Sequence, residues 1–281
     1  MIFRVSVNLN YDLENTATLI LAIKCAKAPG QRILAESFYT EPSLELQDME
    51  PAEGSSRLVR LSAAGPSLHI RYQADVMTGW VSVPPSEIQD GAWGNLPSDC
   101  LPFLSPSRYC QSDRFRAHAM DLFGHCESQY AIASAICGWI FNHVVYEPGS
   151  SNERSSAVDT FEQRVGVCRD FAHLGIAFCR AMSVPARYVS CYSHLLQPND
   201  FHALFEVFIN GRWYAFDATR RAPVNGTVRI AVGRDAADAS TCTMVGNPKL
   251  TNIEVICNAR DGGFMSTLPG SHGVAWTMEG R

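Results

Sequence analysis

The first hundred residues alternate apolar and polar side chains with a period of two, which is typical of half-buried β-strands. Stretches that contain proline or glycine separate the alternating runs. Strands are predicted at residues 3–9, 16–24, 57–63 and 67–75. Short strands at this spacing predict an antiparallel β-sandwich of about 90 residues, which we assign to a first domain at residues 1–97.

The pattern changes after residue 97, where apolar residues begin to recur every three or four positions. Helices are predicted at residues 112–123, 127–144 and 157–164, and a fourth begins near Cys168 and ends before Pro185. Strand-like segments follow from residue 201, and residues 260–281 read as a glycine-rich tail. Residues 98–281 are therefore assigned to a second domain, in which helices come first and strands return later.

Cys168 is the candidate nucleophile of this second domain. It directly follows Gly166 and Val167, and the periodic apolar positions of the fourth helix begin only after it. Unpaired N–H groups and the positive end of the helix dipole favour a thiolate at a helix start. The alternative is an inert buried cysteine, since free cysteines are among the most buried residues.

A predicted hairpin brings His202 and Asp217 together. Asn210 and Gly211 form a two-residue turn between two strand-like segments, and this register places Leu204 opposite Asp217. His202 shares the face of Leu204, so the imidazole and the carboxylate are diagonal cross-strand neighbours. We expect the helix of Cys168 to pack across this face, which would complete a thiol–imidazole–carboxylate triad. Taken alone, a histidine such as His202 is more often a buried core residue, and an acid such as Asp217 belongs to a turn or a strand end.

Four separated blocks of sequence resemble the bacterial transglutaminase-like family, in the order and spacing of that family. The blocks are residues 166–173 (GVCRDFAH), 185–189 (PARYV), 200–203 (DFHA) and 211–219 (GRWYAFDAT). The resemblance is strong over residues 100–240, and the β-rich segment before them is similar, more weakly, to the N-terminal domain of that family.

The resemblance implies a papain-like α+β core, in which a nucleophile at a helix N-terminus packs against an antiparallel sheet. Cys168 would be the nucleophile, His202 the general base and acid, and Asp217 the residue that orients His202. The chemistry of the family runs through a thioester acyl-enzyme, which an amine converts by transamidation and water by hydrolysis. The implied substrate is a peptide or protein amide. Animal transglutaminases carry an aromatic residue directly after the cysteine, whereas this chain has Arg169.

Three further residues are predicted to line the substrate cleft. Tyr192 and His194 lie between the fourth helix and the hairpin, where an ordinary loop is the alternative. Trp213 shares the hairpin face of His202 and Asp217, where core packing is the alternative. The backbone N–H of Cys168 is the candidate oxyanion donor, because it is exposed at a helix N-terminus.

Composition and charge exclude several other classes of protein. A net charge of −5 without a basic cluster argues against a nucleic-acid partner. The ten cysteines form no C-x-x-C pair, and no calcium loop is present, so neither a metal nor another cofactor is expected.

Scattered cysteines and a first segment that alternates, rather than forming an apolar run, predict a reduced, cytoplasmic protein without a signal peptide. The longest apolar runs are too short to span a membrane. Fold does not determine function, so a second hypothesis is a catalytically silent papain-like domain that binds a protein or peptide.

Overall fold

Two antiparallel sheets form the N-terminal part of the computed structural model, which describes residues 1–49, 56–260, 262–267 and 273–278. The first sheet contains, in spatial order, β15 (Lys249–Ala259), β1 (Ile2–Asp12), β6 (Ser67–Thr78) and β3 (Gln31–Glu41). The second contains β14 (Cys242–Val245), β2 (Ala17–Leu21), β5 (Leu58–Ala63) and β4 (Gln47–Met49).

Alternating side chains of both sheets fill one shared core. Phe3, Val5 and Val7 of β1 are fully buried, as are Leu19 and Leu21 of β2. The predicted strands at 3–9, 16–24, 57–63 and 67–75 coincide with β1, β2, β5 and β6. The pattern missed β3 and β4, because most of their side chains are exposed or half-buried and their alternation is weak.

The helices of the second half lie where the sequence predicts them. Their bounds are α1 Arg116–Phe123, α2 Gln129–His143, α3 Ala157–Gln163 and α4 Cys168–Ala181. The other three helices pack around α4, which in turn lies on a sheet. None of the helices in the described residues is both long enough and apolar enough to cross a membrane.

A six-stranded antiparallel sheet supports α4. Its strands, in spatial order, are β13 (Thr227–Gly233), β10 (Ala186–Ser193), β11 (His202–Ile209), β12 (Arg212–Phe216), β16 (Ala275–Thr277) and β7 (Val81–Val83). A separate parallel pair, β8 (Val145–Tyr146) and β9 (Val165–Gly166), leads into α4. A β-sandwich followed by a helix on an antiparallel sheet confirms the predicted α+β class.

The hairpin of β11 and β12 has the predicted register. Ile209 pairs with Arg212 and Phe208 with Trp213, without a shift along the two strands. The expected position of α4 is wrong, however, because the helix packs on the opposite face of the hairpin. Gly175 of α4 approaches the buried ring of Phe205 so closely that an added Cβ would lie 2.6 Å from it.

The sheets do not divide at residue 97, where the sequence predicts a domain boundary. β14 and β15, from the predicted second domain, complete the two N-terminal sheets. In the other direction, β7 joins the sheet of the second half by pairing with β16. The predicted tail thus supplies a strand, although its residues 261, 268–272 and 279–281 lie outside the described part of the chain.

Gly175→Ala tests the close contact between α4 and the sheet. Alanine favours a helix over glycine by about 1 kcal/mol, but overpacking a filled core costs about 1–3 kcal/mol. Phe205 cannot yield easily, because it is fully buried and stacked on Phe216 at 5.6 Å. We expect a net loss in the free energy of unfolding of roughly 1–2 kcal/mol in urea titrations. Gly94→Ala, where an added Cβ meets nothing within 4 Å, is the control; equal stability of both variants would contradict the packing.

Candidate active site

Cys168 is the first residue of α4, and a tight cap holds the chain there. The backbone N–H of Val167 donates to Oδ2 of Asp170 at 2.8 Å, which folds the buried Asp170 side chain back over the helix start. Gly166 is required by this cap, because an added Cβ would lie 2.7 Å from Cβ of Asp170. The Cys168 side chain remains partly exposed.

His202 and Asp217 form a buried, hydrogen-bonded pair. Nε2 of His202 lies 2.8 Å from Oδ2 of Asp217, and both side chains are at most 4% exposed. Oδ1 of Asp217 accepts from the backbone N–H of Thr219 at 2.9 Å and from its hydroxyl at 2.7 Å. Every oxygen of the buried carboxylate therefore has a partner, and the imidazole is oriented through Nε2.

The remaining ring nitrogen of His202 is available to the thiol. Nδ1 is buried, and no nitrogen or oxygen atom of the described residues bonds to it, which leaves the Cys168 thiol as its neighbour. Burial lowers the pKa of His202, but the Asp217 carboxylate and then the Cys168 thiol raise it, and the net pKa lies well above its usual value. Burial raises the pKa of Asp217, but His202 and Thr219 lower it by more than burial raises it. The net pKa lies below its usual value, so the carboxyl stays ionised.

The structure thus brings Cys168, His202 and Asp217 together in the predicted order. Cys168 begins α4 and His202 begins β11. The thiol is close to the imidazole, since a hydrogen bond between them is among the causes that raise the pKa of His202. The backbone N–H of Cys168, at the first position of α4, donates to no backbone carbonyl of the described residues outside that helix. Such an arrangement can ionise a thiol, hold the imidazole tautomer and offer an N–H to a developing oxyanion.

Tyr146 and Arg221 also lie at this site, and sequence reasoning missed both. Tyr146 pairs with Gly166, two residues before the nucleophile, and its ring centroid is 5.8 Å from that of Phe171. The guanidinium carbon of Arg221 is 4.4 Å from the Tyr146 ring centroid. A strand of two residues leaves no periodic signal, so only the pairing of β8 with β9 reveals Tyr146.

The structure does not place Tyr192 and His194 in an open cleft, contrary to the prediction. Tyr192 is fully buried, and its hydroxyl donates to the carbonyl of Ile23 in the β-sandwich. Nδ1 of His194 lies 3.1 Å from the carbonyl oxygen of Cys257 in β15. Both residues fill the junction with the N-terminal sheets, because Tyr192 lies near the end of β10 and His194 directly follows that strand.

Trp213 likewise lies in a packed cluster rather than at the thiol. Its ring contacts Phe103 and Phe208 edge to face, with centroids 5.3 Å away in each case. The guanidinium carbon of Arg187 lies 3.9 Å from its centroid. The alternative of core packing therefore fits Trp213, because residues 98–104 cover this face of the hairpin.

Comparison with known proteins gives the class of this site. Residues 116–218 match the transglutaminase-like superfamily, and residues 1–91 match the N-terminal domain of bacterial transglutaminases. A crystal structure of a provisionally assigned cysteine protease from Cytophaga hutchinsonii is 41% identical, with a TM-score of 0.95 over 99% of this chain and 98% of that one. The chain belongs to the bacterial transglutaminase-like family.

Curated relatives are more distant, and each match covers only about half of the relative. An uncharacterized protein of Mycobacterium leprae is 30% identical over 147 residues, which are 49% of this chain and 52% of that protein. An uncharacterized protein of Mycobacterium tuberculosis is 27% identical over 169 residues, or 59% of this chain and 51% of that protein. The chain thus spans about half the length of these relatives.

Cys168 is expected to be the most reactive of the ten thiols. Burial raises the pKa of eight others, namely Cys25, Cys110, Cys126, Cys137, Cys179, Cys191, Cys242 and Cys257. Limited iodoacetamide at about pH 6 should alkylate Cys168 first, because its side chain is partly exposed and has the imidazole of His202 beside it. Peptide mapping by mass spectrometry measures this, with the partly exposed Cys242 as internal reference; faster labelling of Cys242 would contradict the assignment.

Chelation is expected to leave the protein unchanged. No group of three or more His, Cys, Asp or Glu side chains in the described ranges could hold a metal ion, and the sequence has no calcium loop. Treatment with EDTA should alter neither the midpoint of thermal unfolding nor the alkylation rate of Cys168. If EDTA lowered the unfolding midpoint or the alkylation rate and calcium restored it, the chain would be closer to the animal cross-linking enzymes.

Proposed function

We propose that this protein is a cysteine-dependent enzyme that transfers or hydrolyses acyl groups through a thioester intermediate. Cys168 is the nucleophile, His202 the general base and acid, and Asp217 the residue that orients His202. The acyl donor is the amide of a peptide or protein, and no metal or other cofactor takes part.

The observation that carries the proposal is the state of the His202 ring. Nε2 is taken by Asp217 at 2.8 Å, while Nδ1 is buried without a nitrogen or oxygen partner in the described part of the chain. The Cys168 thiol is the group beside this second nitrogen, since a hydrogen bond to the thiol is among the causes that raise the pKa of His202. A general base needs a nitrogen that can exchange a proton with the nucleophile in this way.

The reaction follows from these groups. The Cys168 sulfur attacks the amide carbon, a C–S bond forms, and the carbonyl electron pair moves to oxygen. The tetrahedral intermediate collapses, the C–N bond breaks, and His202 gives its proton to the leaving amine. A second amine or water, deprotonated by the same imidazole, then attacks the thioester and releases the thiol.

Buried Asp217 has a supporting part in both steps. Because its carboxylate holds the imidazolium through Nε2, the ring cannot rotate away between accepting and giving the proton. Both oxygens are already hydrogen-bonded, so the carboxylate has no need to accept a proton itself.

Substitution of the triad tests the proposal with p-nitrophenyl acetate, an activated ester that can acylate a thiol. Cys168→Ala and His202→Ala should form no acyl-enzyme detectable by mass spectrometry. Asp217→Asn should retain turnover that is lower by roughly 10⁴-fold, because the third residue orients rather than transfers the proton.

Cys242→Ala and His69→Ala, both in the β-sandwich, are the matched controls and should acylate normally. If Cys168→Ala formed the acyl-enzyme as the unchanged protein does, the triad would not be the reactive site. If the protein without substitutions bound peptides but never formed an acyl-enzyme, it would be a silent binding domain instead.

We also propose that the enzyme works in the cytoplasm. The support is that all ten cysteines are free, and six of them are buried where oxidation would disturb packing. Cell fractionation with detection of the chain tests the location, and recovery in an oxidising compartment would contradict it.

A further inference from the structure

Two adjacent arginines, Arg220 and Arg221, follow the triad carboxylate on a turn that hydrogen bonds hold in place. The backbone N–H of Arg220 donates to the carbonyl of Asp217 at 3.3 Å, and that of Arg221 donates to the hydroxyl of Thr219 at 3.2 Å. The same hydroxyl donates to Oδ1 of Asp217 at 2.7 Å. The hydrogen bonds that fix the triad carboxylate therefore also fix the two arginines.

The guanidinium of Arg221 lies where three segments of the site meet. Its carbon is 4.4 Å from the ring centroid of Tyr146 in β8, and β8 pairs with the short strand that leads into the nucleophile. Its Nη2 donates to the carbonyl of Gln197, in the loop that precedes β11. Its backbone belongs to the turn after β12. The cation is therefore held between the segments that carry the three triad residues.

The guanidinium of Arg220 lies on the segment just before β8. Its carbon is 4.1 Å from the ring centroid of Phe141, which is exposed near the end of α2. The backbone of Arg220 is left-handed, with a φ of 52°, and this conformation favours glycine or asparagine over a long side chain. Strained positions of this kind concentrate at binding and catalytic sites, which points to a use for this side chain.

No carboxylate of the protein neutralises these two charges. Arg221 is exposed and Arg220 half-buried, and neither forms an ion pair with an acid of the described residues. Asp217 is buried, with both oxygens already hydrogen-bonded. Asp200, in the loop before β11, is turned back on its own chain, because its Oδ1 accepts from the next backbone N–H at 2.7 Å. The chain has a net charge of −5, so two cations beside the triad are a local exception that would attract an anionic ligand.

We propose that Arg220 and Arg221 form an anion subsite that binds a carboxylate of the acyl donor; this rests on the acyl-transfer function proposed above. Arginine presents a planar fork of N–H donors that matches a carboxylate. Each guanidinium contacts an aromatic ring through its face, which leaves N–H groups at its edge for a ligand. The substrate class is therefore an acidic peptide, in which an aspartyl or glutamyl carboxylate lies close to the amide that Cys168 attacks.

Arg169, which directly follows the nucleophile, fits this role less well. Its guanidinium donates to the carbonyl of Asn152 and to the hydroxyl of Ser151, and it lies 3.4 Å from the carboxylate of Asp170. Its side chain is only 25% exposed. Because its charge is already paired within the protein, Arg169→Gln serves as the competing variant in the test.

The test compares two esters that acylate the same thiol. p-Nitrophenyl hydrogen glutarate carries a carboxylate at the end of its acyl chain, and p-nitrophenyl valerate has an acyl chain of equal length without it. The ratio of their second-order acylation rate constants, glutarate over valerate, should fall by about fivefold in Arg220→Gln and in Arg221→Gln, the upper range for an exposed ion pair. Arg212→Gln, the same substitution at the other end of β12, is the matched control and should leave the ratio unchanged.

Salt gives a second readout, which a merely structural role would not move. Raising the salt concentration from about 0.05 to about 0.5 M screens exposed charges. The glutarate-to-valerate ratio should therefore fall with salt in the protein without substitutions, and it should fall less in Arg221→Gln.

The other outcomes separate failure of the subsite from failure of the proposed function. A ratio that stays the same in both arginine variants, or that falls more in Arg169→Gln, would overturn the inference. An equal fall of both rate constants would make the arginines structural supports of the site. If neither ester acylated the protein without substitutions, the acyl-transfer function would fail. The subsite would then be tested by alkylation of Cys168, where Arg221→Gln should lower the rate with anionic iodoacetate more than the rate with neutral iodoacetamide; equal effects would overturn the subsite as well.

Discussion

Burial of α4 is the constraint on which the rest of the structure depends. Twelve of its fourteen residues are buried, so each polar side chain within it needs a partner from a neighbouring segment. Arg180 is the strongest case: its guanidinium donates to the carbonyls of Ala186, Ser105 and Arg234 and to the hydroxyl of Ser107. Burial lowers the pKa of Arg180, and an unpaired buried charge would cost about 3–5 kcal/mol. Through these hydrogen bonds Arg180 holds the surrounding loops against α4. The buried helix in turn fixes the position of its first residue, Cys168.

The charged pair of His202 and Asp217 links the chemistry of the site to the stability of the fold. The pKa of Asp217 is lowered on folding, so its contribution is present above about pH 4 and is lost as the pH falls through the folded pKa. The pKa of His202 is raised, so its contribution is complete below about pH 6.5 and is lost as the pH rises through the folded pKa. The imidazolium is thus the form of His202 that stabilises the fold.

Much of the candidate site can be predicted from local sequence patterns such as turn residues and strand alternation. Asn210 and Gly211 set the hairpin register, and this alone makes His202 and Asp217 neighbours. The face covered by α4 could not be deduced in the same way, because both faces of the hairpin are buried. On the face predicted for the helix lies Glu206, which is buried between Arg187 and Arg229. Alternation shows which residues share a face, but only tertiary packing decides what covers it.

Contacts between distant parts of the chain explain the features that the sequence did not reveal. Phe3 pairs with Ala259, and the amide of Gln31 bonds to both backbone groups of Arg229. No local pattern encodes such pairings, because they depend on closure of long loops rather than on neighbouring residues. They also account for Tyr192, whose aromatic ring and polar tip suit a cleft and a domain junction equally well. The β-sandwich is therefore built into the second half of the chain rather than appended to it, and the sheet that carries His202 includes strands from distant parts of the sequence, β7 and β16.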